Sequence, residues 1–139
     1  MLQANRESII FPTTATGYVG NPSPVIVSND YWRNAILMIT IRSILTGKTV
    51  TFNVWGFDLA SNQPMPSSAS GATMGTALIT TGALSASTGA TLVYPFAAGV
   101  CWNGSALVNQ VLPRKLFVAA SHSDQSAIYD YTVALQLIH

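Results

Sequence analysis

The stretch Ile128–Ile138 constrains this chain more than any other. Tyr129, Tyr131, Val133, Leu135 and Leu137 recur at every second position, with Asp130, Thr132, Ala134 and Gln136 between them. In an extended strand successive side chains point to opposite faces, so this spacing gives one apolar face and one more polar one. The same alternation recurs earlier, where Val50, Phe52 and Val54 point one way and Thr49, Thr51, Asn53 and Trp55 the other. Ala35–Ile41 is apolar at nearly every position and reads as a central strand covered on both faces. Between these last two runs, Thr46-Gly47-Lys48 reads as a hairpin loop joining neighbouring strands.

Shorter strand signals fill much of the remaining chain. Ser8–Phe11 is stopped by Pro12, and Val25–Val27 is bounded by Pro24 and by Asn29-Asp30. Ala77–Thr81, Thr91–Tyr94 and Leu116–Ala120 are further short runs, and Val111-Leu112 ends one before Pro113. Phe96–Asn109 fits no single pattern. Helical periodicity is missing, and the abundance of Thr, Ser, Gly and β-branched residues favours strands and turns. Many short strands separated by turn residues predict an all-β fold, an antiparallel β-sandwich of about eight strands arranged like a jelly roll.

A chain of 139 residues fits one globular domain and can bury a sizeable core without disulfides or metal. Within it, residues 35–139 read as the sandwich. Residues 1–34 carry Pro12, Gly17, Gly20, Pro22 and Pro24 and read as an extended N-terminal arm or lead-in. Such a segment either reaches a neighbouring subunit or packs on its own domain. Asp58–Gly75, with two prolines, two glycines and four serines, is too long for a tight connection and reads as a functional or mobile excursion. There is no internal repeat.

Charged residues make up only 8% of the chain, against about 25% in an ordinary soluble domain. With a net charge of +1, such a surface favours association over a free monomeric life. The cations Arg6, Arg33, Arg42, Lys48, Arg114 and Lys115 are scattered rather than clustered, which argues against nucleic acid. No run of 18 apolar residues predicts a membrane span. The opening MLQANRESII lacks the apolar core of a signal peptide, so synthesis in the cytoplasm is expected.

Chemistry-bearing groups are few. Ser121-His122-Ser123-Asp124 holds a hydroxyl, an imidazole and a carboxylate together, but triads are assembled in space and not from adjacent letters. Ser and Asp in such a cluster more often bond their own backbone in a turn. Cys101, His122 and His139 match no zinc spacing, and the lone cysteine excludes an internal disulfide. The segments beginning at Asp58 and Asp124 have too few carboxylates for calcium. Gly71–Gly75 lacks the Lys-Ser/Thr of a phosphate-binding loop. Asn103-Gly104-Ser105 is a glycosylation sequon without a secretory signal. Neither a catalytic set, a cofactor site nor a metal site is therefore expected. Trp32, Trp55, Trp102, Tyr94, Tyr129 and Tyr131 would serve as core or interface anchors, or as a sugar-binding platform.

The order of several short motifs resembles a known family. Ile36–Ile41 is followed by Val50–Asp58, which runs into Gly56-Phe57-Asp58 and a loop. Val93-Tyr94-Pro95, Val111-Leu112-Pro113-Arg114, Leu116–Ala120 and Tyr131–Leu135 then follow. Between Ala35 and Ile138 this order resembles small head structural proteins of tailed bacteriophages, notably capsid decoration (cement) proteins. The first 34 residues carry no family pattern, and Asp58–Gly75 is less regular than the family's loop. The resemblance implies a non-enzymatic virion protein that sits on the outer capsid surface as a homotrimer. It would bind the major capsid protein and stabilise the shell. A tail, neck or baseplate component and a carbohydrate-binding β-sandwich module are the alternatives.

Overall fold

The alternation that opens the argument is realised in the last strand. The computed structural model describes residues 6–28, 34–58, 63–64, 77, 79–86, 91–97, 101–103, 106–108 and 115–138; for 57, 58, 63, 64, 96, 97, 101–103 and 106–108 it describes the backbone alone. Among these, the strands are β1 (Arg6–Phe11), β2 (Tyr18–Val19), β3 (Val25–Ser28), β4 (Asn34–Ile44), β5 (Val50–Asp58) and β6 (Gln63–Pro64). They continue with β7 (Ile79–Thr80), β8 (Thr91–Ala97), β9 (Cys101–Asn103), β10 (Ala106–Val108), β11 (Lys115–His122) and β12 (Ile128–Ile138).

The strands form two sheets facing each other across one core, an all-β sandwich. The first has the order β1-β12-β4-β8, with β2 also paired to β12. The second has the order β10-β9-β7-β5-β11-β3, with β6 added to β5. Among the described residues, pairing is antiparallel apart from one parallel bridge, Thr80 to Asn103. From the first sheet, Leu37, Ile39, Tyr129, Tyr131, Val133, Leu135 and Leu137 enter the core without measurable exposure. From the second come Val50, Phe52, Val54, Ile79, Leu116 and Val118, equally buried. The large aromatics interlock at the centre, where the Tyr131 ring meets Phe52 edge-on at 4.9 Å and Phe11 edge-on at 6.4 Å. Such edge-to-face pairs add to the gain from burial alone.

Two local expectations need correcting. The Leu45–Lys48 turn, closed by Lys48 N–H donating to Leu45 O at 3.0 Å, is not a hairpin. It carries the chain from β4 in the first sheet to β5 in the second. The physical reason is that both strands bury an apolar face, and two such faces satisfy each other best across the core rather than side by side. Nor is β4 covered on both faces. Ala35, Leu37, Ile39 and Ile41 are buried, whereas Ile36, Met38 and Thr40 are only half-buried on the outer surface.

Three described elements of the first 34 residues belong to the sandwich. β1 pairs with β12, placing Arg6 opposite Leu137, and β2 pairs with the start of the same strand. β3 pairs with β11 at the edge of the other sheet. Ile10, Phe11 and Val27 enter the core. Gly17 sits in the connection at φ +74, where a Cβ would stand 2.8 Å from Ile128 Cγ2 and 2.9 Å from Tyr129 O. The Asp58–Gly75 excursion lies outside the described residues except for Asp58 and β6.

Candidate functional site

The Ser121–Asp124 cluster is pulled apart by strand alternation. β11 ends at His122, whose ring turns into the core and stacks on Tyr129 at 3.9 Å. Its Nε2 lies 2.9 Å from the Tyr131 hydroxyl, and its Nδ1 is buried without a hydrogen-bond partner. Burial holds the His122 pKa below that of an ordinary histidine. Ser121 faces the opposite way and is exposed. Asp124 sits in the following turn, where Oδ1 accepts from Ser126 N–H and Oδ2 pairs with Lys48 Nζ at 2.7 Å. The Lys48 hydrogen bond, reinforced by Ser126, holds the Asp124 carboxyl well below the usual carboxylate range. Ser123 Oγ accepts from Thr49 N–H at 2.9 Å. His122, Ser123 and Asp124 are thus each committed to a separate structural partner, Ser121 faces away from them, and among the described residues no nucleophile–base–carboxylate chain forms.

The metal candidates are no closer to a site. Among the described residues no three His, Cys, Asp or Glu side chains come together. The side chain of Cys101 and all of His139 lie outside the described residues.

The aromatic candidates divide. Tyr129 and Tyr131 are core residues. Burial pushes the Tyr131 phenol far above its ordinary range, and it is also stacked on Tyr18 at 4.9 Å. Tyr18 in turn donates its hydroxyl to Pro12 O. Tyr94 is half-buried against the core. Trp32 and the Trp102 side chain lie outside the described residues. Trp55 points away from the core, half-buried on the outer face of the second sheet, where it meets Phe117 edge-on at 6.1 Å.

Trp55 and Phe117 share a groove of about 780 Å³. Its apolar lining comes from these rings and from Pro22, Pro24 and Ala119; Asn21, Ser23, Asn53 and Ser121 supply amides and hydroxyls. The sheet register explains the assembly, since Phe117 stands opposite Trp55 on β5 and Ala119 opposite Asn53. The connection from β2 to β3 forms the other wall. It is fixed through Asn21, whose Oδ1 accepts from His122 N–H at 2.7 Å and from Gln125 Nε2 at 3.0 Å. Asn21 N–H donates to Gln125 Oε1 at 2.9 Å. Among the described residues no lining side chain is charged.

The outer face of the first sheet is different. Reading across the strands, Ile9 stands opposite Ala134, Ala134 opposite Met38, and Met38 opposite Val93. This is one unbroken apolar row over four strands. Ile9 and Val93 at its ends remain 57% and 56% exposed, far above the level of a core residue. On one side lie Thr132, Thr40 and Thr91, also in register. Near that side Arg42 makes two hydrogen bonds to Asp130 Oδ1, at 2.9 and 2.7 Å, and one to Thr132. The charges on this flank therefore compensate each other.

Compared with known proteins, the chain matches no family model, no curated protein and no solved structure.

Proposed function

We propose that this protein is a non-enzymatic structural subunit of a multi-copy assembly, namely a decoration protein on the outer surface of a bacteriophage capsid, working as a homotrimer. The observation that carries the reading is the row Ile9–Ala134–Met38–Val93. An apolar stripe across a whole sheet whose ends, Ile9 and Val93, stand more than half exposed points to an interaction surface. Its occupant is a further copy of the same chain. The row has no charge, and the neighbouring Arg42 and Asp130 pair with each other, so a different patch of the next copy covers the row without burying an unpaired charge within it. Three copies close a ring through heterologous contacts.

Fold-level analogy supports this reading. Taking β1, β3, β4, β5, β7, β8, β11 and β12 as strands one to eight, the sheets run 1-8-3-6 and 2-7-4-5. That is the strand order of a jelly roll, an architecture shared by viral capsid and lectin domains. The low charge content and the motif order between Ala35 and Ile138 point the same way. In such a role, many copies that bind only the assembled shell stabilise it by mass action.

Two measurements test the proposal. Light scattering over a range of concentrations should give a trimer mass. Co-sedimentation with phage heads stripped of decoration should load the protein onto the shell. A monomer at high concentration that stays in the supernatant would refute it.

A further inference from the structure

We propose that His122 is an acid-released latch: protonating its imidazole drives the ring out of the core and frees the β2–β3 connection from the end of β11. The proposal does not depend on the assembly role. It starts from one corner of the sandwich. β11 ends at His122, and β3 accompanies it only as far as Val118. Beyond Val118 the β2–β3 connection takes over from the strand, and Asn21 meets His122.

Three residues that bond one another close this corner. Asn21 Oδ1 accepts from His122 N–H at 2.7 Å and from Gln125 Nε2 at 3.0 Å. Gln125 Nε2 also donates to His122 O at 2.9 Å, and Asn21 N–H donates to Gln125 Oε1 at 2.9 Å. Both backbone groups of His122 are thus tied to side chains near solvent, which can exchange these bonds for water at small net cost. The other edge of β11 is held separately. Ser123 N–H donates to Thr49 O and Thr49 N–H donates to Ser123 Oγ, both at 2.9 Å, so the strand end keeps a pivot on β5.

The neutral ring keeps the corner shut. It is 5% exposed, stacks on Tyr129 at 3.9 Å and sets Nε2 2.9 Å from the Tyr131 hydroxyl. A protonated imidazole has two N–H donors, and among the described residues Nδ1 has no partner to accept the second. Its charge has no counter-ion either. The titratable and charged groups packed around it are Tyr129 and Tyr131 of β12, Tyr18 stacked behind Tyr131, Lys48 and Asp124. Lys48 and Asp124 are committed to each other at 2.7 Å.

The chain has five side-chain carboxylates, and the other four stand elsewhere. Asp130 bonds Arg42 on the outer face, and Glu7 stands opposite Gln136. Asp58 ends β5, whose first residue Val50 pairs with His122, so about 25 Å of strand separates them. Asp30 is two residues past Ser28, whose partner Lys115 lies at the start of β11, about 23 Å from His122. The face of Tyr129 attracts a cation, but by less than the cost of burying a charge without a counter-ion. Burial accordingly holds the His122 pKa below that of an ordinary histidine. An imidazole in water titrates near pH 6.5, so acid favours the open corner.

The test is an NMR titration of the full chain from pH 7 downward, in native protein and in Asp124→Asn, which removes the neighbouring carboxyl. As the His122 ring titrates, its cross-peaks to Tyr129 should vanish. The side-chain amide signals of Asn21 and Gln125 should move with the same midpoint, while cross-peaks between Tyr131 and Phe52 persist. In His122→Phe those amide signals should not respond to pH in this range. If that variant does not fold, Asn21→Ala decides. It leaves less to break on opening, so the ring should titrate about half a pH unit higher.

A ring that titrates while still stacked on Tyr129 overturns the proposal. So does release only when the Tyr131–Phe52 cross-peaks are lost, which is global unfolding. Amide signals that stay fixed, or that move equally in folded His122→Phe, overturn it as well. A midpoint unchanged or lowered in Asn21→Ala has the same force. None of these outcomes bears on the solution mass, so the assembly proposal stands or falls separately.

Discussion

Replacing Val93 by lysine should break self-association while leaving the domain folded. Complete burial of a Val or Ile side chain is worth about 1.5–3 kcal/mol. Val93 and Ile9 retain 56% and 57% of their surface, so covering the remainder in a contact between copies contributes about 1–1.5 kcal/mol each. Val93→Lys removes the first of these contributions. It also brings an ammonium into an apolar contact, which costs several kcal/mol if the charge stays buried. A lysine at the end of the row can bend toward water and escape part of that cost. A total of about 2 kcal/mol per contact is therefore a lower figure, equivalent to roughly thirtyfold weaker association. Sedimentation velocity across a hundredfold concentration range reads this directly. Leu45→Lys is the control, because Leu45 is 60% exposed at the turn between β4 and β5, away from the row. The reasoning fails if Val93→Lys shows the native concentration dependence, or if Leu45→Lys weakens association equally.

Gly17→Ala should cost about 2 kcal/mol or more in denaturant unfolding, since it adds a backbone collision to the strain of φ +74; Gly47→Ala, at φ +81 with open space around it, should cost only about 1 kcal/mol. Equal losses at the two sites would count against the close approach of Gly17 to β12. Stability should fall as pH drops. His122 is held neutral by burial, so the unfolded chain protonates first below about pH 6.5. Asp124, held ionised by Lys48, adds a further loss below about pH 4. A thermal midpoint that stays flat between pH 7 and 5 would refute the His122 part. Leu135→Ala, at a position with no exposure between β1 and β4, should cost about 2–5 kcal/mol in chemical unfolding. A loss under 1 kcal/mol would mean that the two sheets do not close over this position as described.

The strands were legible wherever alternation was strict. Tyr129, Tyr131, Val133, Leu135 and Leu137 all bury, as their spacing requires, and so do Val50, Phe52 and Val54. β4 misleads because Ile36 and Met38 look like core residues to any rule based on polarity. Both face outward, Met38 on the apolar row and Ile36 beside Gln136, and an apolar side chain on an outer face carries the same chemistry as one in the core. The turn at Gly47 misleads for a related reason, since a Gly-containing turn of this length serves a hairpin or a crossing between sheets equally well. The groove was partly visible, because Trp55 stood on the polar side of an alternating strand. Its partner Phe117 and its wall at Asn21–Pro24 were not, because only the long-range pairing of β11 with both β5 and β3 brings them together. The Ser121–Asp124 cluster shows the converse. Neighbours in sequence point to opposite faces once the backbone is extended, and proximity in the chain becomes separation in space.

The position of β12 has a consequence for how the protein is made. It lies between β1 and β4, pairing Arg6 with Leu137 and Ala35 with the same Leu137. Until residues 128–138 leave the ribosome, β1 has no sheet neighbour and β4 has β8 on one side only. Until then β1 and the inner edge of β4 wait without a template, and the contacts that close the sheet span nearly the whole described chain. Topologies of this kind fold slowly and expose sticky intermediates. A nascent chain halted before Ile128 should therefore be bound by chaperones and cut readily by protease, and release of β12 should convert it to a resistant form in one step.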